Sequence, residues 1–346
     1  MPEPIASTEQ RARELHAQAM VLLCHDHLFE PPDFAAAIAG GVTARVVQPF
    51  VDVEIWGGTD AFEATKHQEE GVARRAMIAF DRVLAYVETH PDQTLLVRSL
   101  GDLDEAKRSG RAAVILGSEG GRILEGSLEL LRCYQRMGLR QIQFNWDFPN
   151  WIAACQNDVG DADTGLTDFG RALVLEMNRL GMLMDTSHSS HRTRLEVFEL
   201  SQQPVTHGHA GAKSVTDRPQ NLSDEELQAL AANGGVVGLH FFSRLVNQRG
   251  PDAGQAHLHD LYAHIDHIAR VAGMQTVALG PDWFPFHPFG GWTRESGFTF
   301  VAGLESIDCL PNLTGGLLEH GYREADVEAI LGGNFLRVLR GVLPSV

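Results

Sequence analysis

Two histidines stand two positions apart in an apolar run near the start of the chain. The run is VLLCHDHLF, in which His25 and His27 flank Asp26. Because side chains along a strand alternate between its two faces, a strand here would direct both imidazoles to one side and the carboxylate to the other. An imidazole pair on one face can hold a metal ion, and the alternative is a pair of buried histidines that only pack and hydrogen bond.

Three more reactive side chains stand where other apolar runs end. Glu119 closes AAVILGSEGG, His188 follows GMLMDTS, and His209 ends PVTHGHAG. A carboxylate in such a place is costly to bury unless it is paired or bound to a cation, although a solvent-exposed turn would also accommodate it. Histidine nitrogen and carboxylate oxygen are ligands that zinc prefers, and a carboxylate can bridge two ions. The sequence therefore predicts a two-zinc site formed by His25, His27, Glu119, His188 and His209.

Two further residues lie close to these in the pattern. Asp282 ends the run TVALGPDWF and could pass a proton from metal-bound water to a leaving amine, while a strand-end cap would explain it equally well in isolation. His207 stands two positions before His209, so alternation predicts the same strand face for both. It is the alternative ligand to His209, or else a packing histidine.

The elements that would position these residues are short, apolar, β-branched runs that alternate with longer segments of helical period. This alternation is typical of repeated β/α units around a parallel sheet. The candidate strands cover residues 20–28, 43–53, 112–119, 139–146, 181–187, 204–209, 234–242 and 275–282. Eight such units predict an α/β fold of the (β/α)8 TIM-barrel type, in which active sites form at the carboxyl ends of the strands.

Helix boundaries and two irregular segments follow from the same pattern. A threonine begins the helix in LTDFGRALVLEMNRLG, and Ser223 begins the helix in LSDEELQALAANGG; each ends in glycine. Residues 57–98 are predicted to form a helical insertion, and residues 283–300, rich in aromatics, glycine and proline, a loop. His264 and His267, at helical spacing, are expected on an outer helix rather than at a metal. The whole chain, 1–346, is predicted to be one domain.

Composition excludes several classes of partner. The 346 residues carry a net charge of -17, which argues against nucleic acid because binding a polyanion requires surplus Lys and Arg. The start of the chain lacks the pattern of a secretory signal, and no apolar run is long enough to span a membrane. The four cysteines have no short paired spacing and are expected to be reduced thiols. We expect a cytoplasmic protein that binds a small molecule.

Several long motifs resemble the membrane dipeptidase family (renal dipeptidase, peptidase M19) of the amidohydrolase superfamily. They run from HDH through SEGG to the long block GLTDFGRALVLEMNRLGMLMDTSHSS, then PVTHGHAGAKSV, AHIDHIARVAGMQTVALGPD and the terminal LTGGLLEHGYREADVEAILGGNFLRVL. The resemblance covers nearly the whole chain. The long block and the terminal GGNFLRV are specific, whereas two nearby histidines alone would be a weak signal.

The resemblance implies a function and a role for each residue. His25 and His27 would hold the first zinc, Glu119 would bridge, and His188 with His209 would hold the second. Asp282 falls at the family's catalytic acid/base, and a metal-bridging hydroxide would attack the scissile carbonyl of a dipeptide. Known relatives often accept a D-residue at the C-terminal side. The resemblance also implies a homodimer.

Three positions depart from the family pattern. His27 replaces the usual aspartate, which makes the first site more positive while it still offers a zinc ligand. Trp146 occupies the position of a polar residue near the substrate. Gln220, in DRPQNL, replaces the arginine that grips the substrate carboxylate in relatives, and Arg218 lies two residues away.

These departures keep other functions open. The first alternative is a metal-dependent hydrolase of a non-dipeptide amide, ester or lactone, because fold and metals do not fix the substrate. The second is a catalytically silent homologue that binds metal. The aromatic residues of WFPFHPFGGWTRESGFTF after Asp282 would line an apolar substrate pocket or, alternatively, pack the loop onto the barrel or into a dimer contact.

Overall fold

Parallel strands form the centre of the computed structural model, which describes residues 7–27, 34–50, 52, 71–157, 162–249, 253–283 and 299–345. Nine strands occur within these ranges, and neighbours in the sheet follow the order β3-β4-β2-β1-β9-β8-β7-β6-β5. The strands are β1 (Val21–Asp26), β2 (Val42–Val47), β3 (Thr94–Leu96), β4 (Ala112–Leu116), β5 (Gln141–Gln143), β6 (Leu183–Asp185), β7 (Thr206–Ala210), β8 (Val236–Leu239) and β9 (Val277–Leu279).

The sheet closes on itself between β4 and β5. Leu116 bridges Leu139 in parallel, and the Arg140 backbone N–H donates to the Leu116 carbonyl at 2.8 Å. The short strand β3 pairs with the first residues of β4, at Thr94↔Ala112. It lies on the same edge of β4 that contacts the segment leading into β5 at Leu116. Eight strands therefore form a closed barrel, with β3 added beside β4. The predicted TIM-barrel fold is confirmed.

All eight predicted strands contain an observed strand, each within a few residues of the expected bounds. The ninth, β3, was missed because it lies inside the stretch 57–98 that helical periodicity assigned to an insertion. Within that stretch only Val72–Thr89 is helical among the described residues, and residues 57–70 lie outside them. Three residues are too few to show strand alternation.

Helices cover the outside of the barrel. They are α1 (Thr8–Gln18), α2 (Phe34–Ala39), α3 (Val72–Thr89), α4 (Leu100–Ser109), α5 (Leu128–Met137), α6 (Asp168–Leu180), α7 (His191–Leu200), α8 (Asp224–Asn233), α9 (Ser243–Val246), α10 (Leu258–Ala272), α11 (Pro311–His320), α12 (Glu324–Glu328) and α13 (Asn334–Val342). The two predicted helix starts are confirmed: Thr167 caps α6 by accepting from the Gly170 N–H, and Ser223 caps α8 by accepting from Glu226 N–H.

Small and branched side chains fill the lower half of the barrel. Leu22 and Cys24 of β1 pack with inward residues of the other strands and with Phe335 of α13, which closes the amino-terminal end. A Cβ at Gly238 or Gly280 would overlap the Gly208 carbonyl, so β7, β8 and β9 approach closely there because these positions are glycine. Because the apolar side chains fill the amino-terminal half of the barrel, the polar side chains lie at the carboxyl ends of the strands.

Three other expectations bear on the surroundings of the barrel. The four cysteines are unpaired, as expected. Within the described residues no helix is both long and apolar enough to cross a bilayer. Most of the aromatic loop predicted near 283–300, residues 284–298, lies outside the described residues.

Candidate metal centre

The residues predicted to bind metal come together at the carboxyl end of the barrel. His25 lies in β1, Glu119 follows β4, His188 follows β6, His209 lies in β7, and Asp282 follows β9. All five are buried, and so is His27 directly after β1. Two triads have their ligand atoms close enough together to hold an ion: His25, Glu119 and His209, and His25, His27 and Asp282. Separate strands therefore place these side chains in one cluster.

A bulge in β1 turns His25 into the barrel. Leu23 pairs with Arg45 of β2, but Asp26 pairs with Val47, so β1 carries one residue more than β2 over this stretch. Since Leu22 and Cys24 already face inward, strict alternation would have pointed His25 outward. The extra residue lets Cys24 and His25 both face the interior. Asp26 points away and binds Arg45 at 2.7 Å, as the sequence predicted for the residue between the histidines.

A second bulge, in β7, separates His207 from His209. His207 pairs with Val237 and Ala210 with Leu239, which leaves one extra residue on β7. His209 joins the cluster, with Nε2 at 3.0 Å from His188 Nε2. His207 instead lies at 3.0 Å from Thr186 Oγ1 and at 3.2 Å from the Gln220 carbonyl. The expectation that His207 shares the face of His209 is therefore wrong, because the bulge breaks the alternation.

Glu119 lies between the two histidine pairs. Its Oε2 is 3.2 Å from His27 Nε2, whereas its Oε1 is 3.2 Å from His188 Nε2 and 3.7 Å from His209 Nε2. Oε1 also lies 4.0 Å from His25 Nε2, so His27 approaches one oxygen and the other three histidines approach the other. This is the arrangement that a carboxylate needs in order to bridge two ions.

Asp282 also uses its two oxygens separately. Oδ1 lies 2.9 Å from His27 Nε2 and 3.2 Å from His25 Nε2, while Oδ2 lies 2.9 Å from His240 Nε2. The Phe242 backbone N–H donates to His240 Nδ1 at 2.7 Å, so the imidazole proton of a neutral His240 is on Nε2 and is donated to Asp282. Sequence reasoning missed His240, although a polar residue at the end of the apolar run VVGL was the same signal used for the other ligands.

His188 is oriented by a carboxylate that sequence reasoning also missed. Its Nδ1 lies 3.0 Å from Asp147 Oδ1, which also accepts from the Asn157 side chain at 2.8 Å. Donation from Nδ1 to Asp147 leaves the Nε2 lone pair facing Glu119 and His209. His188 and Asp282 both have left-handed backbones, with φ of 61° and 57°. Such backbones in non-glycine residues cost on the order of 1 kcal/mol and are concentrated at functional sites.

His188 and His27 each lie between two carboxylates, and this arrangement favours a positive charge on the imidazole. Burial alone would lower the pKa of His188, but the Asp147 and Glu119 carboxylates raise it to about 10. Burial likewise opposes protonation of His27, yet Asp282 and Glu119 hold its pKa well above the usual range. Burial would raise the pKa of Glu119, and the neighbouring histidines hold it well below. Carboxylates stay ionised here only because cationic groups face them.

A buried carboxylic acid supports the loop that carries Glu119. Asp52 has a φ of 62°, and its Oδ1 accepts from the Arg122 N–H at 2.8 Å. Burial raises the pKa of Asp52 to about 8. A Cβ at Gly120 would overlap this carboxyl group, so Gly120 and Asp52 pack directly against one another next to the ligand.

A family model for "Membrane dipeptidase (Peptidase family M19)" matches residues 14–343. The chain belongs to the membrane dipeptidase family. A curated relative, an uncharacterized dipeptidase of Schizosaccharomyces pombe, is 33% identical over 270 residues, which make up 77% of this chain. The matched part covers 60% of that relative, so this chain spans less than two thirds of its length.

Solved structures share the fold over nearly the full chain. An amidohydrolase from Pseudomonas aeruginosa superposes with a TM-score of 0.81 at 25% identity, covering 96% of this chain and 98% of that one. A probable dipeptidase from the same species gives 0.83 at 21% identity over 97% and 98%. A metallopeptidase from Rhodobacter sphaeroides, bound to a phosphinate mimic of the dipeptide L-Ala-D-Ala, gives 0.80 at 22% identity over 94% and 99%.

The residues predicted to bind substrate, Trp146, Arg218 and Gln220, lie at different distances from the centre, whereas His27 belongs to the centre itself. Gln220 is adjacent, because its side-chain N–H donates to the His209 carbonyl at 3.3 Å. Trp146 is buried, with its ring against Phe148 at 5.7 Å. Arg218 is partly buried and its carbonyl accepts from Asn221 N–H. Within the described residues, no contact of the Arg218 guanidinium reaches His188 or His209.

The family implies a metal cofactor, and the donor set of the centre fits metal ions. His25 Nε2 and Asp282 Oδ1 are buried and lie 3.2 Å apart, and within the described residues neither makes a hydrogen bond of normal geometry. Buried polar atoms rarely remain unpaired unless something else satisfies them. Both atoms belong to the triad that includes His27. The first ion would be held by His25 and His27, and the second by His188 and His209, with Glu119 between the two and Asp282 beside the first.

Proposed function

We propose that this chain is a binuclear, zinc-dependent dipeptidase that hydrolyses the amide bond of a dipeptide or a related small substrate. The position of Glu119 carries the proposal, because its Oε2 lies 3.2 Å from His27 of the first histidine pair and its Oε1 lies 3.2 Å from His188 of the second pair. A single-ion site would need only one of these pairs. Four imidazoles in the set favour zinc, since neutral imidazole is among its preferred ligands.

Two zinc ions held here would polarise the scissile carbonyl and lower the pKa of a water molecule. The chain's own groups manage the proton. Asp282 is ionised, because His240, His25 and His27 hold its pKa well below the usual range despite burial. Its Oδ2 is engaged by His240, so Oδ1, on the side of His25 and His27, is the oxygen that accepts the proton of the attacking water and returns it to the leaving amine.

The deciding experiment is hydrolysis of a panel of L,L- and L,D-dipeptides by protein that was stripped of metal and reloaded with zinc. Asp282→Asn keeps the size of the side chain but cannot accept the proton. We expect turnover on the panel and a loss of roughly 10²–10⁴-fold in kcat for the variant. Asp266→Asn, at an exposed carboxylate bound to Tyr322, is the matched control. No turnover by zinc-loaded protein on any dipeptide would reject the dipeptidase proposal.

A second candidate substrate lacks a free carboxylate, and the position of Gln220 favours it. A neutral amide lies beside His209, and within the described residues the ion pairs of Glu119 are with histidines. A charged clamp would bind a carboxylate about twice as strongly as a neutral donor. Assaying each dipeptide against its C-terminal amide separates the two candidates: preference for the amide favours an N-acyl amide, ester or lactone.

A further inference from the structure

The side chain of Arg194 is buried one helical turn into α7 and connects to both histidines of the second pair. It is almost fully buried, as is its partner Glu226 in α8. We propose that Arg194 is a positioning residue that holds His188 and His209 in place for the second metal ion. This inference rests on the metal pair of the proposed function. It assigns a role to a residue that is neither a ligand nor a proton carrier.

Three acceptors converge on the Arg194 guanidinium. Nη1 donates to Glu226 Oε1 at 3.1 Å. Nη2 donates to Gln156 Oε1 at 2.9 Å and to the Pro219 carbonyl at 2.9 Å. Because the guanidinium is planar and rigid, it fixes the directions of all three bonds together. A buried arginine placed in this way connects α7, α8 and two loops.

The first arm runs through Gln156 to His188. Since arginine only donates, the oxygen of the Gln156 amide must face Arg194, which leaves its Nε2 3.4 Å from His188 Nδ1. The Gln156 backbone N–H also donates to the His188 carbonyl at 2.8 Å. His188 has a left-handed backbone, which requires support from its surroundings. Gln156 therefore binds the backbone of this ligand through its own N–H, and its side-chain amide packs beside the ring without a hydrogen bond to Nδ1, whose proton Asp147 accepts.

The second arm runs through the loop at Pro219 to His209. The residue after Pro219 is Gln220, whose side-chain N–H donates to the His209 carbonyl at 3.3 Å. The Gln220 carbonyl also lies 3.2 Å from His207 Nε2. Gln220 thus contacts β7 on both sides of the bulge that turns His209 inward. Because Arg194 binds the carbonyl of Pro219, it restricts the position of Gln220 and with it the contact between Gln220 and β7.

A purely structural role would be limited to joining two helices. Arg132 provides that comparison, because it binds Glu176 at 2.9 Å and so joins α5 to α6 without touching the centre. If Arg194 only joined α7 to α8, its loss would lower the free energy of unfolding and leave the relative affinities of the two ions unchanged. If Arg194 instead positions His188 and His209, its loss lowers the affinity for the second ion selectively.

Titration of metal-free protein with cobalt(II), followed by visible absorption and by the bound-metal count, tests the inference. His27→Ala and His188→Ala identify which binding event belongs to each histidine pair. For Arg194→Met we expect the affinity of the second event to fall roughly 10–100-fold, as is typical when a group supporting a ligand is removed, with the first event unchanged. Arg132→Met should change neither event.

Gln156→Ala carries the test if Arg194→Met does not fold, because it removes one arm and keeps the Arg194–Glu226 pair. It should weaken the second event in the same direction. Wild-type affinity for both ions in the folded variants would overturn the inference, and so would equal weakening of both events. If the wild-type protein itself binds fewer than two cobalt ions, the proposed metal pair fails and the inference falls with it.

Discussion

His240 Nε2 lies 2.9 Å from Asp282 Oδ2, on the side of the carboxylate opposite His25 and His27. The hydrogen bond from Phe242 N–H to His240 Nδ1 fixes the tautomer, so the imidazole of His240 donates to Asp282. Burial keeps His240 neutral by lowering its pKa, even though Asp282 opposes this effect. A neutral donor of fixed direction holds the other oxygen of Asp282, Oδ1, toward His25 and His27 without adding a competing charge.

Replacing His240 should therefore slow the reaction more than it weakens substrate binding. In His240→Leu, Asp282 loses its N–H donor and can rotate, so we expect kcat to fall by roughly 10–100-fold with little change in KM. His240→Gln retains a donor and should recover part of the rate. Steady-state kinetics of both variants on one dipeptide provide the measurement. Equal rates for the two variants would show that the donor plays no part.

Glu119 should govern how many ions are bound. In Glu119→Gln one oxygen becomes an amide nitrogen that cannot bind a cation, so the carboxylate bridge is lost. We expect metal content after dialysis to fall from two ions per chain to one or none. Glu125→Gln, six residues further along and exposed, is the control. Retention of both ions by Glu119→Gln would contradict the bridging role.

The barrel was predictable because most of its strands lie in apolar runs between helical segments. β3 was not, because its three residues show no alternation and lie within a stretch of helical composition. Burial of whole strands, as in β1 and β4, gave continuous apolar runs that are easily read from sequence. The strand bounds were overestimated because the polar ends that carry the site extend beyond the ladder.

The site was predictable where a reactive residue ends an apolar run, which describes Glu119 and Asp282. Where a bulge decides the direction of a side chain, prediction from alternation was wrong, since it placed His207 on the face of His209. The bulges that turn His25 and His209 inward leave no mark in composition. Asp147 and Arg194 were missed for another reason: their roles depend on contacts between residues far apart in the sequence.

Gly120 should tolerate no side chain. A Cβ there would overlap the buried Asp52 carboxyl group, and the φ of 99° is unfavourable for any other residue. We expect Gly120→Ala to lower the free energy of unfolding by about 2–5 kcal/mol, from overpacking plus backbone strain. Gly110→Ala is the matched control, because its φ is 73° but nothing lies near its Cβ; it should cost only about 1 kcal/mol. Urea unfolding of both variants tests this prediction, and equal losses of unfolding free energy would contradict the packing argument.

His264 should make stability depend on pH in the acid range. Its Nδ1 accepts from Ala212 N–H at 2.8 Å and its Nε2 lies 3.1 Å from the Val246 carbonyl, so the folded protein holds it neutral on α10. Burial lowers the pKa of His264 to about 4, against an ordinary 6.5. Below pH 6.5 the unfolded chain binds a proton that the folded chain does not, so stability decreases as the pH falls to about 4, by on the order of 3 kcal/mol from this residue. His264→Gln can make both hydrogen bonds but does not titrate. Urea unfolding between pH 7.5 and pH 4 should therefore show a smaller decrease for the variant than for the wild type, and parallel curves would refute the assignment.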